Sequence, residues 1–140
     1  MPSGYRVAHV DEIEPARGEE YPEVAEWKPV RHDLGITAFG VNAFVVASAG
    51  DLVIDEHDEI DYGHEELYVV IRGHAEFTVG GETIDAPAGT FVFIPDPEAR
   101  RKAVALEPDT AVLGVGAKPG EAFTPSTWEQ EYTAGRGAGA

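Results

Sequence analysis

The sequence predicts a single all-β domain, a sandwich or barrel. Three observations predict it. Short runs rich in Val, Ile, Phe, Tyr and Thr recur through the middle of the chain, with turn residues between them. Sixteen glycines and ten prolines are scattered without a period, which suits a turn-rich β protein better than a helical bundle. No segment carries a convincing long helical pattern. At 140 residues, 43% of them hydrophobic, the chain can build one domain with a real core.

Taken in order, residues 1–30 are polar and carry Pro15, Pro22 and Pro29. They read as an arm with one short strand or turn. Its acidic run, from Glu19 and Glu20 on to Glu26, reads as solvated. Strand runs follow at residues 41–47 (VNAFVVA), 67–71 (LYVVI), 76–79 (EFTV) and 82–85 (ETID). Three more lie at residues 90–94 (TFVFI), 102–106 (KAVAL) and 111–115 (AVLGV). Gly80-Gly81 joins EFTV to ETID as a two-residue hairpin, because glycine tolerates the positive φ that such turns need. The barrel is therefore assigned to residues 31–118, with a C-terminal extension over 119–140. The closing AGRGAGA has no side chains that could form a core and is expected to be disordered.

Composition narrows the function. Ten basic and 26 acidic residues give a charge of −16. Such a surface repels phosphate backbones and anionic membranes, so neither nucleic acid nor membrane is an expected partner. Without cysteine there is no disulfide, thiolate zinc site or cysteine nucleophile. The first residues lack the apolar segment of a secretory signal, and a cytoplasmic location is expected.

Several motifs fail on inspection. His64-Glu65-Glu66-Leu67-Tyr68 begins like the zinc motif HExxH, but Tyr68 stands where the second histidine must be. The run from Asp55 to Glu59 lacks the spacing and turn glycine of a calcium loop. Gly114, Gly116 and Gly120 do not make GxGxxG. Ser3, Ser48 and Ser126 sit in no nucleophile-elbow context.

The remaining pattern resembles the cupin superfamily, small jelly-roll β-barrels. The first cupin motif reads G-x5-H-x-H-x(3,4)-E-x6-G. Glu66 and Gly73 match its second half. The second motif reads G-x5-P-x-G-x2-H-x3-N, and Gly89 with Pro95 match its first half. The resemblance spans roughly residues 35–117 and implies a single-domain cupin jelly-roll barrel behind an N-terminal arm. It also implies a metal centre of three histidines and one glutamate, and here the sequence departs. With the shorter spacer the first two histidines fall at Ile60 and Tyr62, and with the longer at Glu59 and Asp61. The third falls at Arg100. Only Glu66 is retained.

An arginine cannot ligate a metal. It can form a forked ion pair with a carboxylate in the space an ion would fill. The expected centre is therefore an inward Arg100 paired with Glu66, with no metal or other cofactor. Side chains alternate along a strand. Lys102, Val104 and Leu106 share the face of Arg100, while Arg101, Ala103 and Ala105 take the other. The larger apolar residues fall with Arg100, which favours placing it inside.

Glu66, His64 and Arg100 are the candidates for acid–base and oxyanion roles. Tyr62, Tyr68 and Lys102 join them as candidate ligand-binding residues. Core packing is the alternative for Tyr68, and a surface position the alternative for Arg100. His57 lies among Asp55, Glu56, Asp58 and Glu59, which favour its protonated form; it reads as a solvated loop residue. Should a divalent metal bind, His57, His64 and Glu66 are the candidate ligands. His74 reads as surface. Phe91 and Phe93 read as core or interface, and Trp27, Phe123 and Trp128 as closing a barrel end or building a dimer contact.

Four functions follow. The first is a small, soluble protein binding a small organic molecule, anionic if a buried arginine faces it. The second is a metal-free isomerase, lyase or cyclase in which Glu66 or His64 moves a proton and Arg100 steadies an oxyanion. The third is a metal-dependent oxygenase or isomerase with rearranged ligands. The fourth is a structural dimerisation module. The resemblance also implies a homodimer.

Overall fold

The computed structural model describes residues 4–16 and 25–134. Nine strands and two short helices occur among them, in the order β1 (Glu26–Lys28), α1 (Val30–Leu34), β2 (Gly40–Val45), β3 (Leu52–His57), β4 (Glu65–Arg72), β5 (His74–Val79), β6 (Glu82–Pro87), β7 (Phe91–Ile94), β8 (Arg101–Ala105), β9 (Ala111–Ala117) and α2 (Thr127–Thr133). A five-stranded sheet runs β1-β2-β9-β4-β7, and a four-stranded sheet runs β3-β8-β5-β6. Every described strand pair is antiparallel. The fold is all-β, two sheets closing on one core, as the strand pattern predicts.

Side chains from both sheets meet in that core. Tyr68, Val70 and Val112 come from one sheet, and Val53, Phe77 and Ala103 from the other. Tyr68 and Phe77 set their rings 5.5 Å apart. Phe77 lies directly across from Ala103, and Ala75 across from Ala105. Alanines fit there because the two large rings already fill the space between the sheets.

The β5–β6 hairpin turns at Gly80 and Gly81, with φ of 57° and 87°. That is the paired positive φ a two-residue hairpin needs. Gly73 has another reason to be glycine. It turns the chain from β4 into β5 at φ 80°, and a Cβ there would meet the Thr110 backbone at 2.8 Å.

Two expectations need correction. Residues 52–57, outside every expected strand, form β3 with shifts in its pairing to β8. Val53 and Ile54 are its buried residues, and the polar Asp55 and Glu56 that hid the pattern sit on exposed positions. Phe91 and Phe93 are not core: they are 69% and 56% exposed on β7, at the sheet edge.

The arm packs on the barrel. Lys28 Nζ donates to the Ile13 carbonyl at 2.9 Å, and Arg72 makes a two-pronged bond to Asp11 at 3.0 and 3.1 Å. Trp27 is buried edge-on between Trp128, at 4.7 Å, and Tyr132, at 4.9 Å. The C-terminal helix thus packs on β1, and its Trp128 and Glu129 reach the cavity between the sheets. Glu19, Glu20 and residues 135–140 lie outside the described residues. No described helix is long and apolar enough to cross a membrane.

Candidate functional site

A cavity of about 410 Å³ opens between the sheets. Strand alternation on β4 turns Glu66, Tyr68 and Val70 to one face, and Glu66 and Tyr68 line the cavity. The end of β3 brings in His57, paired across from Arg101, the first residue of β8. The following turn carries Glu59, whose N–H donates to the Pro97 carbonyl at 2.8 Å.

These residues form one polar centre. Arg101 is fully buried, and its Nη1 donates to Glu66 Oε1 at 2.8 Å. Its other nitrogens donate to the carbonyls of Ala99, at 2.9 and 2.7 Å, and Asp96, at 3.1 Å. Tyr68 donates its hydroxyl to the same Glu66 oxygen at 2.6 Å. His57 Nε2 is 3.1 Å from Glu59 Oε2 and 3.7 Å from Glu66 Oε1, while its Nδ1 lies 2.7 Å from the Asp55 carbonyl. His64 Nδ1 is 3.4 Å from the other Glu59 oxygen.

The expected Arg100–Glu66 pair is therefore corrected by one residue. Arg100 is 58% exposed and faces Glu56 at 3.1 Å and Asp58 at 3.5 Å. Arg101 is the inward residue, together with Ala103 and Ala105. Lys102 shares the outward parity of Arg100 and does not line the cavity. Tyr62, His64, Glu66 and Tyr68 do line it. Tyr62 touches α2 through the Thr127 hydroxyl at 3.1 Å. His57 is no solvated loop residue; it ends a strand and lines the cavity. The sequence held one signal for it. His57-Asp58-Glu59 has the two-apart spacing of the family's first two histidines, but six residues separate Glu59 from Glu66 instead of three or four.

Both ring nitrogens of His57 face acceptors, which an imidazolium satisfies with two donors. Burial works against that charge, but the carboxylates of Glu59 and Glu66 overcome it and raise the pKa to about 10. For Glu66, burial pushes upward; the hydrogen bonds from His57 and Tyr68 and the charge of Arg101 outweigh it and hold the carboxyl below its ordinary value. Burial and the Glu66 charge push the Tyr68 phenol well up, so it remains a donor.

A pH dependence follows with a defined sign. The stability linked to His57 is fully present below its unfolded pKa near 6.5 and is lost as the pH rises through about 10. Melting temperature is expected to fall from pH 7 to 10, and less steeply in His57→Gln than in the parent. Equal slopes in the two proteins would remove His57 from the charged centre.

This arrangement, two antiparallel sheets around a polar inward glutamate, is the cupin fold. No protein-family model matches the sequence, and no curated protein does. Solved structures match clearly. A sugar phosphate isomerase from a cupin superfamily, from Silicibacter pomeroyi, aligns with a TM-score of 0.64 at 17% identity, covering 79% of this chain and 74% of that one. A predicted oxalate decarboxylase from Thermotoga maritima gives 0.61 at 20%, covering 79% and 97%. A cupin protein from Bacteroides fragilis gives 0.58 at 19%, covering 91% and 95%. At these identities the likeness establishes the fold.

The fold family implies a divalent ion, and the residues present test that. His57, Glu59 and Glu66 do bring three potential ligand atoms within 4.8 Å of one another. The fourth side of the cluster is Arg101, which has no lone pair to give. Its guanidinium and the Tyr68 hydroxyl already occupy Glu66 Oε1. This donor set does not fit the three-histidine, one-glutamate ion, because a fixed positive charge stands where a ligand should.

Proposed function

We propose that this chain binds a small organic molecule in its barrel, and that a guanidinium organises its polar centre in place of a metal ion. Arg101 carries this reading. It is wholly buried and aimed at the one retained cupin ligand, Glu66. Buried charges persist when they are paired and hydrogen-bonded, and this one has a carboxylate and two carbonyl partners. His57 and Arg101 balance Glu59 and Glu66, so the centre is electrically complete. The cavity beside it has the size of a small-molecule pocket. Neighbours of this fold named for isomerase and decarboxylase activity support a small organic ligand.

A second reading, acid–base catalysis, rests on His64 and Glu59. They lie 3.4 Å apart on the cavity wall and could pass a proton to a bound molecule.

Elemental analysis of untagged protein, followed by a metabolite thermal-shift screen with and without chelator, tests the proposal. The expected result is metal far below one per chain and a ligand whose stabilisation survives the chelator. Stoichiometric Mn, Fe, Ni or Zn, or a ligand that needs metal, would overturn it. If a substrate emerges, unchanged turnover in Glu59→Gln removes the catalytic reading.

A further inference from the structure

The geometry points to the charge class of the ligand, on the reading that the cavity is a ligand site: a small organic cation bearing N–H donors, such as an alkyl or cycloalkyl ammonium, and not a carboxylate or phosphate. Among the described residues, the lining includes the carboxylates Asp55, Asp58, Glu59, Glu66 and Glu129 and no lysine or arginine. The nearby guanidinium groups are already engaged. Arg101 is bound to Glu66 and two backbone carbonyls. Arg31 is held by Glu129 at 2.7 Å and by the Ile36 carbonyl at 3.1 Å. Arg100 lies on the surface with Glu56 and Asp58. His57 turns both nitrogens to protein acceptors. Among the described lining residues an entering anion would meet no lysine or arginine, only an imidazolium whose two nitrogens already face Glu59 and the Asp55 carbonyl, so its lost hydration would go unreplaced. The chain's charge of −16 makes the surrounding field negative as well.

Hydrogen-bond polarity points the same way. Asn42 lines the cavity, and its Oδ1 is buried without a hydrogen-bond partner. Its Nδ2 faces Glu129 Oε1 at 3.4 Å, which sets the direction of the amide. A lone acceptor beside carboxylates asks for a donor, and an ammonium offers donors only. The hydrocarbon of such a ligand also has a surface to meet. The rings of Tyr62, His64 and Phe123 follow one another at 5.8 Å along the wall. Phe123 already carries the Arg31 guanidinium 5.8 Å from its centroid, and ring faces attract organic cations.

The test uses three probes with one ring and different head groups: cyclohexylmethylamine, cyclohexylmethanol and cyclohexanecarboxylate, titrated calorimetrically into the full chain. The amine is expected to bind at one site per chain, at least about ten-fold tighter than the other two, and more weakly as salt is raised. Asn42→Leu, which keeps the shape and removes the acceptor, is expected to weaken the amine about ten-fold. The salt series on the parent protein needs no variant to fold. Binding of the carboxylate as tightly as the amine would overturn the charge assignment and leave the ligand site standing. Equal binding of amine and alcohol, or amine binding that Asn42→Leu leaves unchanged, would overturn it likewise. If none of the three binds, the assignment is overturned; if the metabolite screen is also blank, the ligand-site reading falls with it.

Discussion

Replacing Arg101 by methionine is expected to cost about 3–5 kcal/mol of folding stability, the usual penalty for removing one partner of a buried ion pair. The guanidinium is fully buried and lies 2.8 Å from Glu66 Oε1. Taking it away leaves a carboxylate in the barrel that burial already disfavours. It also strips donors from the carbonyls of Asp96 and Ala99. The neighbouring change Arg100→Met is expected to alter stability by no more than about 1 kcal/mol, because that side chain is 58% exposed and its partners are solvated. Pairing Arg101→Met with Glu66→Gln should recover part of the loss, since the buried charge is then gone as well. Urea denaturation of the four proteins, with m-values checked for constancy, measures all of this. If the two arginine variants proved equally stable, Arg101 would not hold the centre together.

The contrast between these adjacent arginines shows where the sequence was legible. The strand pattern was open to reading because seven of the nine described strands begin and end within two residues of a run expected from the sequence, and Gly80-Gly81 marks its hairpin without ambiguity. The site was harder, for two physical reasons. Counting by the family spacing assumes an unchanged turn, and here six residues lie between Glu59 and Glu66. His57 and Glu59 were thus hidden inside an acidic run, although β3 carries the first of them into the barrel. The parity of β8 misled in another way. Val104 and Leu106 are larger than Ala103 and Ala105, and bulk suggested the inner face. Tyr68 and Phe77 already fill that face, so the small residues go inside and Arg101 goes with them. Parity could not be settled from one strand, because its inner surface is shaped by side chains on two others.

Arg101→His is expected to convert the centre into a divalent metal site. The side chain lies directly across from His57 and reaches Glu66, so an imidazole there would join His57, Glu59 and Glu66 around one point. The substitution supplies a lone pair and removes a permanent positive charge, the two features that oppose an ion in the parent. It also frees Glu66 Oε1 from the guanidinium that now donates to it at 2.8 Å. His57 must release its proton to ligate, so the gain should grow as the pH rises from 6 toward 8. The parent is expected to change little in melting temperature when Ni²⁺ or Zn²⁺ is added. The variant, less stable than the parent without metal, should be stabilised by about 2.7 kcal/mol when free metal reaches a hundred times its Kd. Calorimetric titration with each ion, beside melting curves with and without chelator, reads both effects. Tight binding by the parent would show that the guanidinium excludes nothing. Failure of the variant to bind, while it still folds, would show that the four side chains do not share a centre.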